Sequence, residues 1–118
     1  MSDQYGFYSV IDYSVDSART QQEYVRAFEE LSREWVSHWP GFLSVRFLAS
    51  EDGRRVFNLV HWESEEAFRA FERDSDTDGR VAAIRRAVDG VGGHLELRMT
   101  ESPRYRVAAV VEPRGARD

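Results

Sequence analysis

A chain of 118 residues, 42% hydrophobic and 31% charged, has the length of one globular domain and buries most of its unfolded surface on folding. It contains no cysteine, which excludes disulfides, zinc fingers, thiolate clusters and cysteine nucleophiles. Its net charge of −5 does not suit phosphate binding, and no apolar run approaches the roughly 20 residues of a membrane span, so neither a nucleic acid nor a membrane is expected as partner.

All sixteen basic residues are arginine, which fits a GC-rich bacterial genome. The polar start Met1-Ser2-Asp3-Gln4 does not resemble a signal peptide, and a soluble, cytoplasmic protein is expected.

Residues 7–13 (FYSVIDY) are β-branched and aromatic and read as a strand. After a polar break at 16–19, Thr20 and Glu23 match a capping box, and Val25, Phe28, Leu31 and Trp35 recur at helical spacing. Pro40-Gly41 should stop this helix near Trp39. Residues 42–49 and 56–62 form a strand pair across an Asp52-Gly53 hairpin turn. Ser64 caps a helix carrying Ala67, Phe68 and Phe71, the segment 74–79 breaks it, and 80–88 resumes with Val81, Ile84 and Val88 on one stripe. A glycine-containing loop leads to an alternating strand at 94–99, a fifth strand is expected at 107–111 (VAAVV), and 113–118 read as a loose tail.

The order βαββαβ with an added strand is the split βαβ arrangement of an α+β, ferredoxin-like fold with an antiparallel sheet. One domain is expected over 1–118, with its core at about 7–101 and a C-terminal strand and tail at 102–118. The strand 56–62 is apolar on both faces: Val56, Val60 and Trp62 on one, Phe57 and Leu59 on the other. Two helices cover only one face of such a sheet, so a second copy of the chain is the economical cover for the other. A homodimer follows, with the 107–111 strand as a segment that could cross to the partner.

Few motifs carry chemistry. The histidines His38, His61 and His94 show no metal-ligand spacing, the glycines 90, 92 and 93 do not sit between a strand and a helix start, and no lysine is present for a P-loop or a Schiff base. The informative stretch runs from Asn58 to Phe68. Asn58 falls on the same strand face as Val60 and Trp62, and an amide among apolar residues is costly unless it finds partners. Pattern alone favours an Asn58 bonded to nearby backbone with Trp62 in the core. The sharper alternative is a pocket roofed by Trp35, Trp39 and Phe68 with Asn58 as its polar anchor.

The Trp39-Pro-Gly-Phe42 run, the Asp-Gly hairpin and Asn58-x-x-x-Trp62-Glu-Ser-Glu-Glu-Ala-Phe68 resemble the antibiotic biosynthesis monooxygenase family, and most closely its small actinobacterial quinone-forming members. The resemblance implies a dimeric α+β barrel that uses O2 with no flavin, metal or haem as cofactor, on an aromatic polyketide as small-molecule substrate. It implies that Asn58 and Trp62 line the active site together with an arginine of the last helix, which falls on Arg85, or on Arg86 if the alignment slips by one. A tyrosine often stands in the family where this chain has Phe68, which removes a phenolic hydroxyl; Tyr24 or His38 on the first helix are the candidates to replace it. Haem-degrading relatives carry a histidine on the helix after the tryptophan, and that helix here, SEEAFRAFER, has none.

The resemblance implies oxidation of an anthrone or polyphenol anion by O2 to a quinone, with the protein supplying position and charge stabilisation. A polyketide cyclase or isomerase on the same barrel, or a ligand-binding accessory protein without turnover, are the alternatives.

Overall fold

The computed structural model describes residues 5–93, 95–97 and 104–114. Its elements are β1 (Phe7–Val15), α1 (Ala18–Trp35), β2 (Phe42–Ala49), β3 (Arg55–Trp62), α2 (Glu65–Asp74), α3 (Thr77–Gly90), β4 (Leu95–Leu97) and β5 (Arg104–Arg106). The sheet runs β2-β3-β1-β4, antiparallel throughout, and β5 pairs with the other end of β1. This is the expected α+β, ferredoxin-like order, with the second helical segment divided in two. The residues expected as a strand at 94–99 are described only as β4; His94 and 98–99 lie outside the described residues.

Strand pairing fixes which side chains meet the helices. Phe7 pairs with Trp62, Ile11 with Asn58 and Tyr13 with Val56, so these residues share the helix-facing side. The opposite side carries Tyr8, Val10, Leu48, Phe57 and Leu59, and Phe57 and Leu48 remain 37% and 47% exposed. The hairpin joining β2 and β3 turns at Gly53, whose φ of 78° is one that L side chains rarely adopt. Gln21, buried on α1, ties the hairpin down by donating from Nε2 to the carbonyls of Ser50 and Arg55 at 3.1 and 3.0 Å.

Several element boundaries differ from expectation for local reasons. Ser17, not Thr20, caps α1: its extended backbone lets Oγ accept from the Thr20 amide at 3.2 Å, which makes Thr20 the third helical residue. The helix ends at Trp35 rather than near Trp39. Ser32 and Ser37 bond back to the Phe28 and Arg33 carbonyls, and the amide of Ser37 reaches the Ser32 carbonyl, so the ladder is already disturbed before Pro40. Asp76 caps α3 through the Gly79 amide, so α3 starts at Thr77 instead of 80, and Val81 is exposed rather than part of the buried stripe.

The fifth strand is Arg104–Arg106, not 107–111. Arg106 pairs with Phe7, so an antiparallel continuation would need Gly6, where β1 has not begun and φ is 95°. Residues 107–111 therefore carry no strand, and Val110 and Val111 are exposed. No helix among the described residues is long and apolar enough to cross a membrane.

Candidate active site

On β3 the helix-facing side reads Val56, Asn58, Val60, Trp62. Val56 belongs to one buried cluster with Tyr13, Val15, Tyr24 and Phe28; Trp62 belongs to a second with Phe7, Phe68 and Phe71. Asn58, only 3% exposed, sits between the two. Its cross-strand partners on this face are Ile11 and Phe47. Those two residues and Val45 and Val60 keep partial exposure, whereas Tyr13, Val56 and Trp62 at the two ends are sealed. The middle of the sheet is thus less well covered by the helices than its ends, and the amide sits at that gap.

The walls are aromatic. Trp62 packs against Phe42, Phe68 and Phe71 with ring centroids 5.9, 5.8 and 5.2 Å away, and Trp39 meets Phe71 edge-on at 5.7 Å. Yet four buried polar atoms in this region complete no hydrogen bond: Asn58 Oδ1, Trp62 Nε1, Trp35 Nε1 and the Tyr13 hydroxyl. Three of these atoms, on Tyr13, Asn58 and Trp62, stand on one sheet face, and buried polar groups are nearly always satisfied, so this face is the candidate ligand site. Burial pushes the Tyr13 hydroxyl well above the usual phenol range, and the neighbouring Asn58 side chain offsets only part of the rise.

The expected site residues do not all come together. Asn58, Trp62, Phe68 and Trp39 come together in or beside the second cluster. Trp35 stands at the end of α1 against the start of α3, where a Cβ placed on Gly79 would lie 3.1 Å from its ring. Tyr24 is buried in the first cluster, with its hydroxyl turned to the carbonyls of Val88 and Gly93 at 3.5 and 3.4 Å. Burial, then Asp16 and Asp89, raise its pKa. His38 is exposed beside Trp39.

Arg85 and Arg86 are both exposed, so neither turns inward as the proposed charge stabiliser would have to. The reason is helical phase: α3 buries Ala83 and packs Ile84 and Val88 on the first cluster, and positions 85 and 86 face away. The arginine in phase with Ile84 and Val88 is Arg80. Its guanidinium lies 4.5 Å from the centre of the Phe71 ring and donates to Ser75 Oγ at 2.8 Å. Burial holds it below the ordinary arginine range, with Glu72 opposing. Arg104 stands over Phe68 at 5.3 Å and pairs with Glu72 at 2.9 Å. The i, i+4, i+8 spacing of Arg80, Ile84 and Val88 was the signal for Arg80. Tyr13 shares the strand phase of Phe7, which places it on the helix-facing side without marking its hydroxyl.

Chemically, the arrangement offers aromatic walls, indole N–H donors and an amide oxygen without partners, and a partly buried cation at one end. Such a set can hold an aromatic molecule bearing oxygens and stabilise negative charge on it. A separate open groove beside Asp16, Arg19, Thr20, Glu23 and Gly93, at the start of α1, holds none of the expected residues.

Known proteins resemble this chain. A Streptomyces glaucescens tetracenomycin-F1 monooxygenase is 40% identical over 45 residues, a match that spans 38% of this chain and 40% of that protein. A Streptomyces coelicolor monooxygenase, from the gene ActVA-Orf6 and solved in complex with nanaomycin D, superposes with a TM-score of 0.68 at 31% identity over 92% of both chains. SnoaB of Streptomyces nogalater, described as a cofactor-independent oxygenase, shares the fold at 18% identity and a TM-score of 0.53, covering 81% of this chain and 93% of its own. The family model for antibiotic biosynthesis monooxygenases matches residues 7–77, from the start of β1 through the asparagine and tryptophan of β3 to the start of α3. With more than half of its length inside that model, the chain belongs to the antibiotic biosynthesis monooxygenase family.

Proposed function

We propose that this protein is a cofactor-independent monooxygenase that oxidises an aromatic polyketide of anthrone or polyphenol type to a quinone. The observation that carries the reading is the pair of buried orphan groups, Asn58 Oδ1 and Trp62 Nε1, on one face of β3 among aromatic walls. The similarity to the nanaomycin-bound Streptomyces coelicolor monooxygenase, over 92% of both chains, supports the substrate class.

Triplet oxygen reacts slowly with closed-shell molecules, so the substrate must first become an electron-rich anion. An anthrone loses a methylene proton to give that anion, which passes one electron to O2. The two radicals combine to a peroxide, and loss of water leaves the new carbonyl, so that CH2 and O2 become C=O and H2O. The protein's work is to orient the ring and stabilise charge. The Asn58 amide donates to the oxyanion or peroxide, and the Trp62 indole N–H donates from the wall beside it. Arg80 takes the charge-stabilising role first considered for Arg85, since it is the one in phase with the buried stripe. Phe68 contributes shape and no proton.

The proposed working unit is a homodimer. Two copies would meet over the apolar outer face of Tyr8, Val10, Leu48, Phe57 and Leu59, and residues 107–111 would lie against the partner. Oxygen consumption with an anthrone or dihydroxynaphthalene, measured on purified protein in the presence of a chelator, tests the reaction. Quinone formation matched to oxygen uptake is the expected result. Rearrangement or cyclisation of a polyketide without oxygen would replace it with the cyclase alternative, and tight binding without turnover would make it an accessory protein.

A further inference from the structure

Resting on the monooxygenase reading, we propose that Tyr13 is a positioning residue of this site, whose hydroxyl donates to Asn58 Oδ1 and so holds the Asn58 amide N–H groups towards the substrate oxygen. Two buried atoms lack a partner in complementary ways. Tyr13 presents a donor without an acceptor, and Asn58 presents an acceptor without a donor. They are near neighbours on one face: Tyr13 pairs with Val56 and Asn58 with Ile11, so the two side chains stand diagonally across β1 and β3, within reach of one another. The Asn58 side chain lies near enough to the phenol to lower its pKa against the larger rise from burial, so the two groups stand within interaction range.

The need for such a group comes from the shape of an amide. Its oxygen and its NH2 group are nearly the same size, so the apolar neighbours Ile11 and Phe47 cannot select which end faces the substrate. Only a hydrogen bond can. An asparagine that turned its carbonyl to an oxyanion would repel the charge it is meant to stabilise. A donor behind Oδ1 removes that orientation and leaves both N–H groups outward.

Among the described tyrosines, Tyr13 alone fits this position. Tyr24 directs its hydroxyl to the Val88 and Gly93 carbonyls, and Tyr8 is stacked on His61 on the outer face. Tyr5 and Tyr105 are exposed. Tyr13 itself is 0% exposed, so it acts through Asn58 rather than on the substrate. Burial keeps it a neutral phenol, and thus a donor, across the neutral and mildly alkaline range.

Tyr13→Phe removes one oxygen and keeps the ring that packs on Phe28 and Tyr24 at 5.3 and 6.2 Å. The expected result is about a tenfold fall in kcat, the effect of one lost hydrogen bond, with KM changed less than about twofold. In an Asn58→Ala background the same substitution should change kcat less than about twofold, since the amide it orients is gone. A readout without turnover accompanies the cycle. The side-chain amide resonances of Asn58 should shift and exchange faster with solvent in Tyr13→Phe, and the [13Cζ]tyrosine resonance of Tyr13 should move in Asn58→Ala, a measurement that needs no substitution at Tyr13. Independent, additive effects in the cycle, or amide and Cζ resonances that do not respond, would overturn the proposal. Absence of oxygen uptake by the unsubstituted protein would instead sink the monooxygenase reading, and the resonances would still decide whether Tyr13 holds Asn58.

Discussion

Replacing Asn58 by leucine should move stability and activity in opposite directions. The amide is 3% exposed, its Oδ1 has no partner, and its cross-strand neighbours Ile11 and Phe47 are apolar. A buried polar group left unsatisfied costs about 1–3 kcal/mol, and leucine keeps the γ-branched shape without that cost, its extra bulk entering the thinly covered middle of the sheet. The Tyr13 hydroxyl loses the amide beside it, which takes back part of that gain. A gain of about 1–2 kcal/mol is therefore expected, which for a domain of this size raises Tm by roughly 4–8 °C. Turnover should fall on the order of 10²-fold, the usual result of deleting one donor to a developing oxyanion. Thermal unfolding followed by circular dichroism at one fixed protein concentration, with oxygen uptake on the same samples, measures both. A Tm lowered by several degrees, with the folded fraction turning over at the original rate, would show that Asn58 is a structural hydrogen-bonding residue and refute the site built on it.

Three further outcomes are expected. Gln21→Ala removes both bonds to the β2–β3 hairpin and should lower stability by about 1–3 kcal/mol, read as a lower urea midpoint with unchanged slope and little loss of kcat. Leu59→Asp sets a charge in the middle of the outer face, so light scattering should fall from twice the protomer mass of 13.7 kDa towards a single copy; a variant that stays dimeric would remove that face as the interface. Because burial raises the Tyr13 pKa, the unfolded chain releases this proton above about pH 10 while the folded chain keeps it, so the Tyr13 contribution is intact below pH 10 and stability then declines by about 1.4 kcal/mol per pH unit. Urea unfolding at pH 9 and pH 11 should show that decline, with Tyr24 acting in the same direction and Tyr13→Phe flattening it.

The order of the elements was legible because the periodicities are long and the breaks have local chemistry. Asp52-Gly53 marks the hairpin, and Ser64 caps α2 by accepting from the Ala67 amide at 3.1 Å. What failed were a choice between neighbouring caps and a strand whose pairing lies elsewhere in the chain. A capping box at Thr20 and Glu23 is a sound local motif, but Ser17 lies three residues earlier with the extended backbone a cap requires. The stretch 107–111 has the composition of a strand, and its pairing is decided by where β1 starts, at Phe7 after a glycine with positive φ. Composition supplies a propensity for pairing, and the partner strand decides whether it is used.

Legibility of the site follows the same division. Asn58 and Trp62 stood out because strand alternation has a period of two and tolerates no error of phase over four residues. Trp39 and Phe68 followed from their sequence neighbours. The arginine did not, because a helical stripe drifts by 100° per residue and its phase depends on which residues are taken as buried. Choosing Val81 with Ile84 and Val88 turns the assumed stripe away from position 80, and the buried face of α3 then appears to contain no cation. Once Ala83, Ile84 and Val88 define that face, Arg80 joins it, one turn before Ile84 and directly over Phe71. Arg85 rests on the family resemblance alone, and its position on α3 is exposed. Tyr13 was hidden for a different reason: a tyrosine on an aromatic strand is unremarkable until its hydroxyl is seen to be buried without a partner beside a buried amide in the same condition. Sequence pattern exposes a polar residue placed among apolar ones, and it is silent about a polar atom at the tip of an apolar side chain, such as the Tyr13 hydroxyl or the Trp62 indole N–H.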